Sequence, residues 1–133
     1  MNYLLDTHTF IWSIVAPDKI PDRIKKIIQN AQNNVLVSVV SFWEISIKYG
    51  LGKIKLKGVT SDELPAIAER NKFSILALRP QDAATGHQLQ WMGMHKDPFD
   101  RILIWQAIQN NMILLSKDND FNLYRLVGLK LIW

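Results

Sequence analysis

Five short apolar segments recur along the chain, and longer stretches of helical periodicity separate them. The segments are four to six residues long and rich in leucine, isoleucine or valine, and they predict β-strands at residues 2–5, 35–39, 73–78, 112–116 and 129–133. They are almost continuously apolar, which is typical of strands in a parallel sheet that is covered on both faces. The pattern therefore predicts a mostly parallel central sheet.

Between the strands, apolar residues recur every three or four positions, as on one face of an α-helix. One such stripe consists of Ile20, Ile24, Ile27 and Ile28. Other helices are predicted at residues 41–49, 60–72, 80–91 and, in a more apolar form, 102–108. The alternation of strands and helices predicts an α/β fold.

The length of 133 residues fits a single domain, 1–133, with one core. An apolar fraction of 48% excludes a disordered chain, and no apolar run is long enough to cross a bilayer, so we expect no membrane partner. The chain has no cysteine and no secretory signal pattern, which favours a cytoplasmic location. Its net charge of +4 is compatible with a polyanionic partner but does not identify one.

Acidic residues recur where the predicted strands end. Asp6 directly follows the first strand, Glu44 lies shortly after the second, and Asp118 follows the fourth. Asp97 and Asp100 open the predicted helix in "DPFDRILIWQA". Because the carboxyl ends of parallel strands lie at one edge of a sheet, we expect these acids to share that edge.

The acids near the first two strands also have structural explanations. Asp6 or Thr7 can cap the helix that follows. Ser41 and Glu44 match the S-x-x-E capping box, and Glu44 can also pair with Lys48 four residues later.

The remaining acids have structural explanations of the same kind. Asp97 precedes Pro98, which predicts a helix N-cap followed by proline at the first helical position and places Asp100 at the third. Asp118 and Asp120 can form Asx turns. No single acid therefore establishes a functional site.

Several carboxylates at one edge need a compensating positive charge, since two of them about 4 Å apart repel by roughly 4 kcal/mol at an effective dielectric constant near 20. Mg²⁺ prefers oxygen ligands and suits such a set. A thiolate zinc site is impossible without cysteine, and His8, His87 and His95 lack the spacing of a zinc motif. The acids together predict a site for a divalent cation held by oxygen.

The four acidic segments, in this order, resemble the motifs of the PIN-domain ribonucleases, and in particular of VapC-type toxins from toxin-antitoxin pairs. "LLDTHTFIW" matches the first motif, "SVVSFWEISIKYGLGKIKL" the glutamate motif, "DPFDRILIWQA" the third and "LLSKDNDF" the fourth. The resemblance covers nearly the whole chain. It implies a PIN-like three-layer α/β/α sandwich with a mostly parallel central sheet.

The resemblance also implies a metal-dependent endoribonuclease that hydrolyses RNA phosphodiester bonds with one or two Mg²⁺ or Mn²⁺ ions. Carried onto this chain, the catalytic and metal-binding acids are Asp6, Glu44, Asp100 and Asp118. The supporting positions are Thr7, Asp97, Ser116 and Asp120. Among these residues, we expect Asp6 and Asp100 to be direct metal ligands.

Positively charged side chains near the acids are candidates for contacts with the RNA backbone, namely Lys48, Lys53, Lys55 and Arg101. The alternation of Lys53, Lys55 and Lys57 with apolar residues is equally typical of a solvated edge strand. The aromatic residues Phe42, Trp43, Trp91 and Trp105 are better explained as core or interface residues than as base-stacking residues.

The resemblance implies two protein partners, a cognate antitoxin and a second copy of the chain in a homodimer. Trp12 and Trp43 are candidates for such interfaces. Two other functions stay open: a non-catalytic module of the same fold that binds a cation or a basic partner, and an aspartyl-type phosphatase. The phosphatase is the weaker alternative, because the second acid of its D-x-D pattern is replaced by His8. Metal-dependent cleavage of RNA would separate these functions.

Overall fold

A parallel sheet of five strands runs through the centre of the protein in the computed structural model, which describes residues Met1–Trp133. The strands are β1 (Asn2–Leu5), β2 (Asn34–Ser38), β3 (Ser74–Leu76), β4 (Ile113–Leu115) and β5 (Lys130–Ile132). They lie in the order β3-β2-β1-β4-β5, and each neighbouring pair is parallel. The predicted α/β class and the predicted parallel sheet are confirmed.

The three central strands carry apolar side chains on both faces of the sheet. Leu4 of β1 is in register with Leu36 of β2 and Leu114 of β4, and all three belong to one buried cluster. Leu5, one residue further along, is in register with Val37 and belongs to the other cluster. Because successive side chains of a strand point to opposite faces, a continuous apolar run fills both cores at once.

Six α-helices cover the sheet: α1 (Thr7–Val15), α2 (Asp22–Gln29), α3 (Val39–Gly50), α4 (Leu64–Arg70), α5 (Pro80–Thr85) and α6 (Pro98–Gln109). Buried residues of α1 to α4 pack on the face that contains Leu5, and α6 packs on the face that contains Leu4. The 3-10 helix Asn119–Val127 joins α6 on its face through Phe121 and Tyr124. The result is the expected three-layer α/β/α sandwich.

Helix α3 begins earlier than the sequence predicts, and this removes the proposed capping box. The N-cap is Ser38, whose backbone is extended and whose hydroxyl accepts a hydrogen bond from the amide of Val40. Ser41 and Glu44 therefore lie inside the helix, so the prediction that they cap it is wrong. The predicted pairing of Glu44 with Lys48 is confirmed.

Three other predicted elements differ from the structure. The lysine-rich stretch after Gly50 forms turns and no strand, so the edge-strand explanation for Lys53, Lys55 and Lys57 is wrong. The helix predicted at 60–72 is a 3-10 turn, Ser61–Glu63, followed by α4. The helix predicted at 80–91 ends as α5 at Thr85 and continues only as a 3-10 turn, Gly86–Gln88. Capping and turn contacts outweigh helical periodicity in these short segments.

The chain changes direction across the sheet at β1. It moves from β1 to β2 and β3 on one side and then crosses to β4 and β5 on the other. In open parallel sheets, a crevice for ligands forms at such a switch point, beyond the carboxyl ends of the strands. The crevice in this protein lies where β1 and β4 end, at Asp6 and Ser116. None of the helices combines the length and the apolar character needed to cross a bilayer.

Candidate active site

Asp6 lies at the carboxyl end of β1, buried beneath the crevice. It caps α1, because its Oδ1 accepts a hydrogen bond of 2.8 Å from the amide of Thr9. Its Oδ2 accepts a hydrogen bond of 2.5 Å from the hydroxyl of Ser116 at the end of β4. Burial raises the pKa of Asp6, although the hydrogen bonds from Ser116 and Thr9 and the charge of His8 oppose this rise. Asp6 thus caps α1 and also lies at the carboxyl end of the central strand of the sheet.

Glu44 is buried within α3 and is held by two polar neighbours, Thr7 and Lys48. The hydroxyl of Thr7 donates to Glu44 Oε1 over 2.7 Å and also lies 3.0 Å from the hydroxyl of Ser41. Lys48 donates to Glu44 Oε2 over 2.5 Å. Thr7 follows Asp6 directly in the chain, so this hydrogen bond ties Glu44 to the end of β1.

Asp97 and Asp100 occupy the start of α6 as predicted for a proline-led helix. Asp97 is the N-cap, and its Oδ1 accepts hydrogen bonds from the amides of Phe99 and Asp100 at 2.9 and 3.1 Å. Burial raises the pKa of Asp100 to about 7, and the negative charges of Asp97 and Glu44 add to this rise while the hydrogen bond with His95 opposes it. Asp100 therefore lies in the field of two other carboxylates.

Lys48 is the positive charge closest to this group of acids. Burial lowers the pKa of Lys48, but the hydrogen bond and charge of Glu44 and the charges of Asp97 and Asp100 together raise it above its ordinary value. Its ammonium group therefore partly neutralises three carboxylates at once. We infer that Lys48 is engaged within the protein rather than free to contact RNA.

His95 orients Asp100 through a chain of hydrogen bonds. Its Nε2 lies 3.1 Å from Asp100 Oδ2, and its Nδ1 lies 2.8 Å from the hydroxyl of Tyr124. Arg101 Nη1 donates to the same hydroxyl over 3.1 Å. Because a guanidinium can only donate, the tyrosine oxygen accepts from Arg101 and its hydrogen can point to Nδ1, which leaves Nε2 of a neutral histidine to donate to Asp100. This order satisfies every group in the chain.

Arg101 has a structural role that the sequence did not reveal. It is buried, and its guanidinium also donates to the carbonyl oxygens of Leu89 and Gln90 at 2.5 and 3.3 Å and stacks 3.8 Å from the ring of Trp91. These contacts hold the segment that leads from α5 to His95. We therefore leave Arg101 out of the proposed contacts with the RNA backbone.

Asp118 and Asp120 lie at the start of the 3-10 helix after β4 and are exposed. Asp118 caps that helix, since its Oδ1 accepts a hydrogen bond of 2.9 Å from the amide of Asp120. Its own amide donates to the hydroxyl of Ser116 over 3.1 Å. Ser116 thereby links Asp118 to Asp6, whereas Asp120 lines a separate cavity together with Asp97 and His95.

The predicted acids form two adjacent sets rather than a single cluster. One set consists of Asp6 and Asp118 around Ser116, and the other of Glu44, Asp97 and Asp100 around Lys48. No three histidine or acidic side chains lie close enough to hold one ion in this arrangement. Every buried polar side-chain atom already has a hydrogen-bond partner within the protein.

The donor chemistry of both sets fits a hard divalent cation. The available ligands are carboxylate oxygens, and the chain contains no thiolate. Burial raises the pKa of Asp100, and the charges of Asp97 and Glu44 add a repulsion that a bound cation relieves. Such a cation would share Glu44 with Lys48 or displace the ammonium group.

Two residues of the site were not recognised from the sequence. Tyr124 lies outside the four acidic motifs, and His95 lacks the spacing of a zinc motif. The spacing of the motif offered a partial signal, because His95 lies five residues before Asp100 and just outside the helix. The contact of His95 with Tyr124 spans 29 residues, so it depends on the packing of α6 against the 3-10 helix.

A cavity of about 340 Å³ opens beside the first set of acids and is lined by Asp6, His8, Trp12, Lys117 and Asp118. A larger cavity of about 470 Å³ lies near the amino ends of the strands, where β2 and β3 begin. The larger cavity has no acidic residue in its lining, so it lies outside the candidate site.

The PIN domain family model matches residues 3–126, and the chain therefore belongs to the PIN domain family. PIN domains are generally metal-dependent nucleases, which places the chain in a family of hydrolases. Among curated proteins, none matches the chain significantly.

Several solved structures share the whole fold. VapBC2 from Rickettsia felis, bound to a DNA fragment from its promoter, is 21% identical with a TM-score of 0.69, covering 100% of this chain and 99% of that one. DNA-bound VapBC from Salmonella typhimurium is 18% identical with a TM-score of 0.66, and VapBC-1 from nontypeable Haemophilus influenzae is 20% identical with a TM-score of 0.65. Each of these two covers 99% of this chain and 97% of its own. At these identities, the likeness shows the shared fold.

Proposed function

We propose that this PIN domain is a metal-dependent endoribonuclease and the toxin of a VapC-type toxin-antitoxin pair. One arrangement carries the proposal: Glu44, Asp97 and Asp100 surround Lys48 next to the ends of the central strands, where burial, together with the charges of Asp97 and Glu44, raises the pKa of Asp100 to about 7. Proteins retain such unfavourable charge at functional sites, where a ligand compensates it. The family assignment and the likeness to VapBC structures support the same function.

The proposed metal ligands are the carboxylates of Asp6, Glu44, Asp100 and Asp118, with Mg²⁺ or Mn²⁺ as one or two ions. When bound, such an ion supplies positive charge for the scissile phosphate and lowers the pKa of a water molecule. The chain itself contributes orientation. Ser116 and Thr9 hold both oxygens of Asp6, Thr7 holds Glu44, and His95 holds Asp100, which reduces the reorganisation that ligand binding requires. The supporting acids Asp97 and Asp120 add negative charge at the edges of the two sets.

Lys53 and Lys55 are the proposed contacts with the RNA backbone outside the acidic sets. Both are exposed, whereas the apolar residues between and after them pack on the core. Such lysines provide charge that attracts phosphate without reading sequence.

Helix α3 supplies a surface suited to protein partners, and we propose that it takes part in antitoxin binding or in a homodimer. Its exposed apolar side chains are Val39, Trp43, Ile47 and Tyr49, and Leu51, which caps its C-terminus, is exposed as well. Trp43 is 63% exposed and packs edge-on against Phe99 at the start of α6. Exposed apolar patches of this kind mark interaction surfaces. Light scattering of the purified protein at micromolar concentration tests the homodimer, which a monomer would refute.

A non-catalytic module of the same fold is the second candidate, because no three acids share one ion in this arrangement. Such a module would bind a cation or a basic partner peptide at the same edge of the sheet without hydrolysing RNA. Both candidates predict cation binding, and only the first predicts new RNA ends.

The deciding experiment measures cleavage of a mixed RNA pool by the purified protein as Mg²⁺ or Mn²⁺ concentration rises. We expect cleavage that stops with EDTA. Asp6→Asn and Asp100→Asn should each lower the rate by about 100-fold or more, since each keeps its shape but loses a charge. Asp97→Asn is the matched control, because asparagine caps a helix as well as aspartate does, and it should keep most of the activity.

Absence of metal-dependent cleavage under all conditions, with cation binding retained, would favour the non-catalytic module. Full activity of Asp100→Asn together with loss in Asp97→Asn would move the third ligand to Asp97. Glu44→Gln with unchanged activity would return Glu44 to a structural role.

A further inference from the structure

The cavity beside Asp6 is lined by aromatic and basic side chains as well as by the acids. It lies beyond the carboxyl ends of β1 and β4, at the switch point of the sheet. Its volume of about 340 Å³ falls within the roughly 300–1,000 Å³ range of sites that hold a small molecule. It is therefore large enough for one nucleotide but too small for a folded RNA element.

One wall of this cavity is aromatic. Trp12 lines it from the second turn of α1, with its ring centroid 6.1 Å from that of His8, which also lines the cavity. Behind it, Trp12 packs on the first core cluster and lies 6.1 Å from the ring of Trp133. An indole supported in this way offers a rigid face or edge to an incoming ring.

Charges of both signs also line the cavity. Lys117 belongs to the lining and places its ammonium group 6.0 Å from the centroid of Trp12. The ammonium group of Lys19, outside the lining, lies 5.8 Å from the same centroid, and both lysine side chains are exposed. Asp6 and Asp118 are the acidic residues of the lining. Aromatic rings combined with lysines are the usual elements of single-strand recognition, in which bases stack and cations contact phosphates.

We propose that this cavity binds one nucleotide of a single-stranded RNA, with its base against Trp12 and His8 and a phosphate at Lys117. The proposal rests on the proposed function and deepens it by assigning the position of the substrate. The proposed metal ligands Asp6 and Asp118 line the same cavity, so a strand held there runs next to them. Stacking on an indole tolerates any base, so the subsite positions RNA more than it reads sequence.

The test uses a fluorescein-labelled six-nucleotide RNA without secondary structure, whose binding to the full-length protein is followed by fluorescence anisotropy in EDTA. Trp12→Leu should weaken binding about tenfold, and Trp12→Phe should retain most of the affinity because it keeps an aromatic ring. Trp105→Leu is the matched control, since Trp105 is a half-buried tryptophan on the other face of the sheet. Thermal melts show whether each variant is folded.

Lys117 is tested through the salt dependence of the same binding. Lys117→Ala should reduce the slope of log affinity against log salt concentration by about 0.7, the value for one phosphate contact on a single strand. Lys130→Ala is the control. Lys130 is the first residue of β5, away from the carboxyl ends of the strands, so its substitution should leave the slope unchanged.

Competition identifies which part of the nucleotide is recognised. Adenosine 5′-monophosphate should displace the labelled RNA more strongly than either adenosine or inorganic phosphate. Equal competition by phosphate would show a simple anion site, and unchanged RNA affinity of Trp12→Leu would show that the wall serves a protein partner or the core. Either result overturns the proposal.

The outcome is separable from that of the proposed function. If RNA is cleaved but Trp12→Leu changes neither KM nor affinity, the subsite is wrong and the nuclease stands. If the wild-type protein binds RNA through Trp12 but never cleaves it, the subsite stands and the nuclease is wrong. For an active enzyme with this subsite, Trp12→Leu raises KM much more than it lowers kcat.

Discussion

Ser116 donates a hydrogen bond of 2.5 Å to the carboxylate of Asp6, which joins the ends of β4 and β1 although the two residues are 110 positions apart. The same hydroxyl accepts a hydrogen bond from the amide of Asp118. The Ser116 hydroxyl thus links two of the proposed metal ligands, Asp6 and Asp118.

Ser116→Ala should lower the free energy of unfolding by about 1–3 kcal/mol, because it takes a donor from a buried carboxylate and an acceptor from the amide of Asp118. Urea denaturation measures the change. Ser74→Ala is the control, since the hydroxyl of Ser74 makes an exposed hydrogen bond to Asn34, and its effect should stay within about 0.5 kcal/mol. Equal effects at the two positions would contradict the structural role of Ser116.

Tyr124→Phe should destabilise the protein by about 1–3 kcal/mol, because the lost hydroxyl is completely buried and connects Arg101 to His95. It should also reduce cleavage, since His95 then loses one of the two contacts that orient it towards Asp100. Tyr49→Phe makes the same change at an exposed tyrosine and should be nearly neutral. A neutral Tyr124→Phe would show that the hydrogen-bond chain is unimportant.

Without metal, the protein should become less stable as the pH rises from about 4 to 7. The pKa of Asp100 is about 7 in the folded chain, raised by burial and by Asp97 and Glu44, against an ordinary value of 3.8. Between these values the folded state binds the additional proton, so stability is fully present below the lower pKa and is lost as the pH passes the upper one. Thermal melts in EDTA across this range measure the loss.

Asp100→Asn should flatten that pH dependence, because asparagine does not titrate, and it should melt at a higher temperature than the wild type at pH 8. Some dependence should remain, since burial also raises the pKa of Asp6. Asp18→Asn removes an exposed acid instead and should leave the profile unchanged. Identical profiles for the wild type and Asp100→Asn would contradict the proposed origin of the effect.

Lys48→Met should increase the thermal stabilisation produced by Mg²⁺, because the ammonium group of Lys48 no longer competes with the ion for Glu44. In EDTA the same variant should lose about 1 kcal/mol of stability, since Glu44 and its acidic neighbours then lack their nearest positive charge. Lys57→Met is the control at an exposed lysine. A smaller Mg²⁺ effect in Lys48→Met than in the wild type would argue against metal binding at Glu44.

Local sequence patterns were sufficient to predict the strands, the parallel sheet and the edge at which the acids lie. The apolar runs at β1, β2 and β4 must be buried on both faces, and only a covered parallel sheet satisfies this requirement. Asp97 and Pro98 likewise determine the start of α6, because capping involves atoms within one helical turn. Such features depend on neighbours in the chain and can be predicted from them.

Tertiary packing decided which partner each polar group has. Arg101 resembles a phosphate-binding residue in the sequence, but the fold buries it against Tyr124 and the carbonyl oxygens of a distant segment. Lys48 faces three carboxylates, and Trp12 meets Lys117 across the crevice. These relationships join residues on different elements, so they depend on how the layers pack rather than on periodicity or local propensity. Local patterns thus define the layers and the acidic end of the sheet, whereas the packing of those layers defines which charges are available to a ligand.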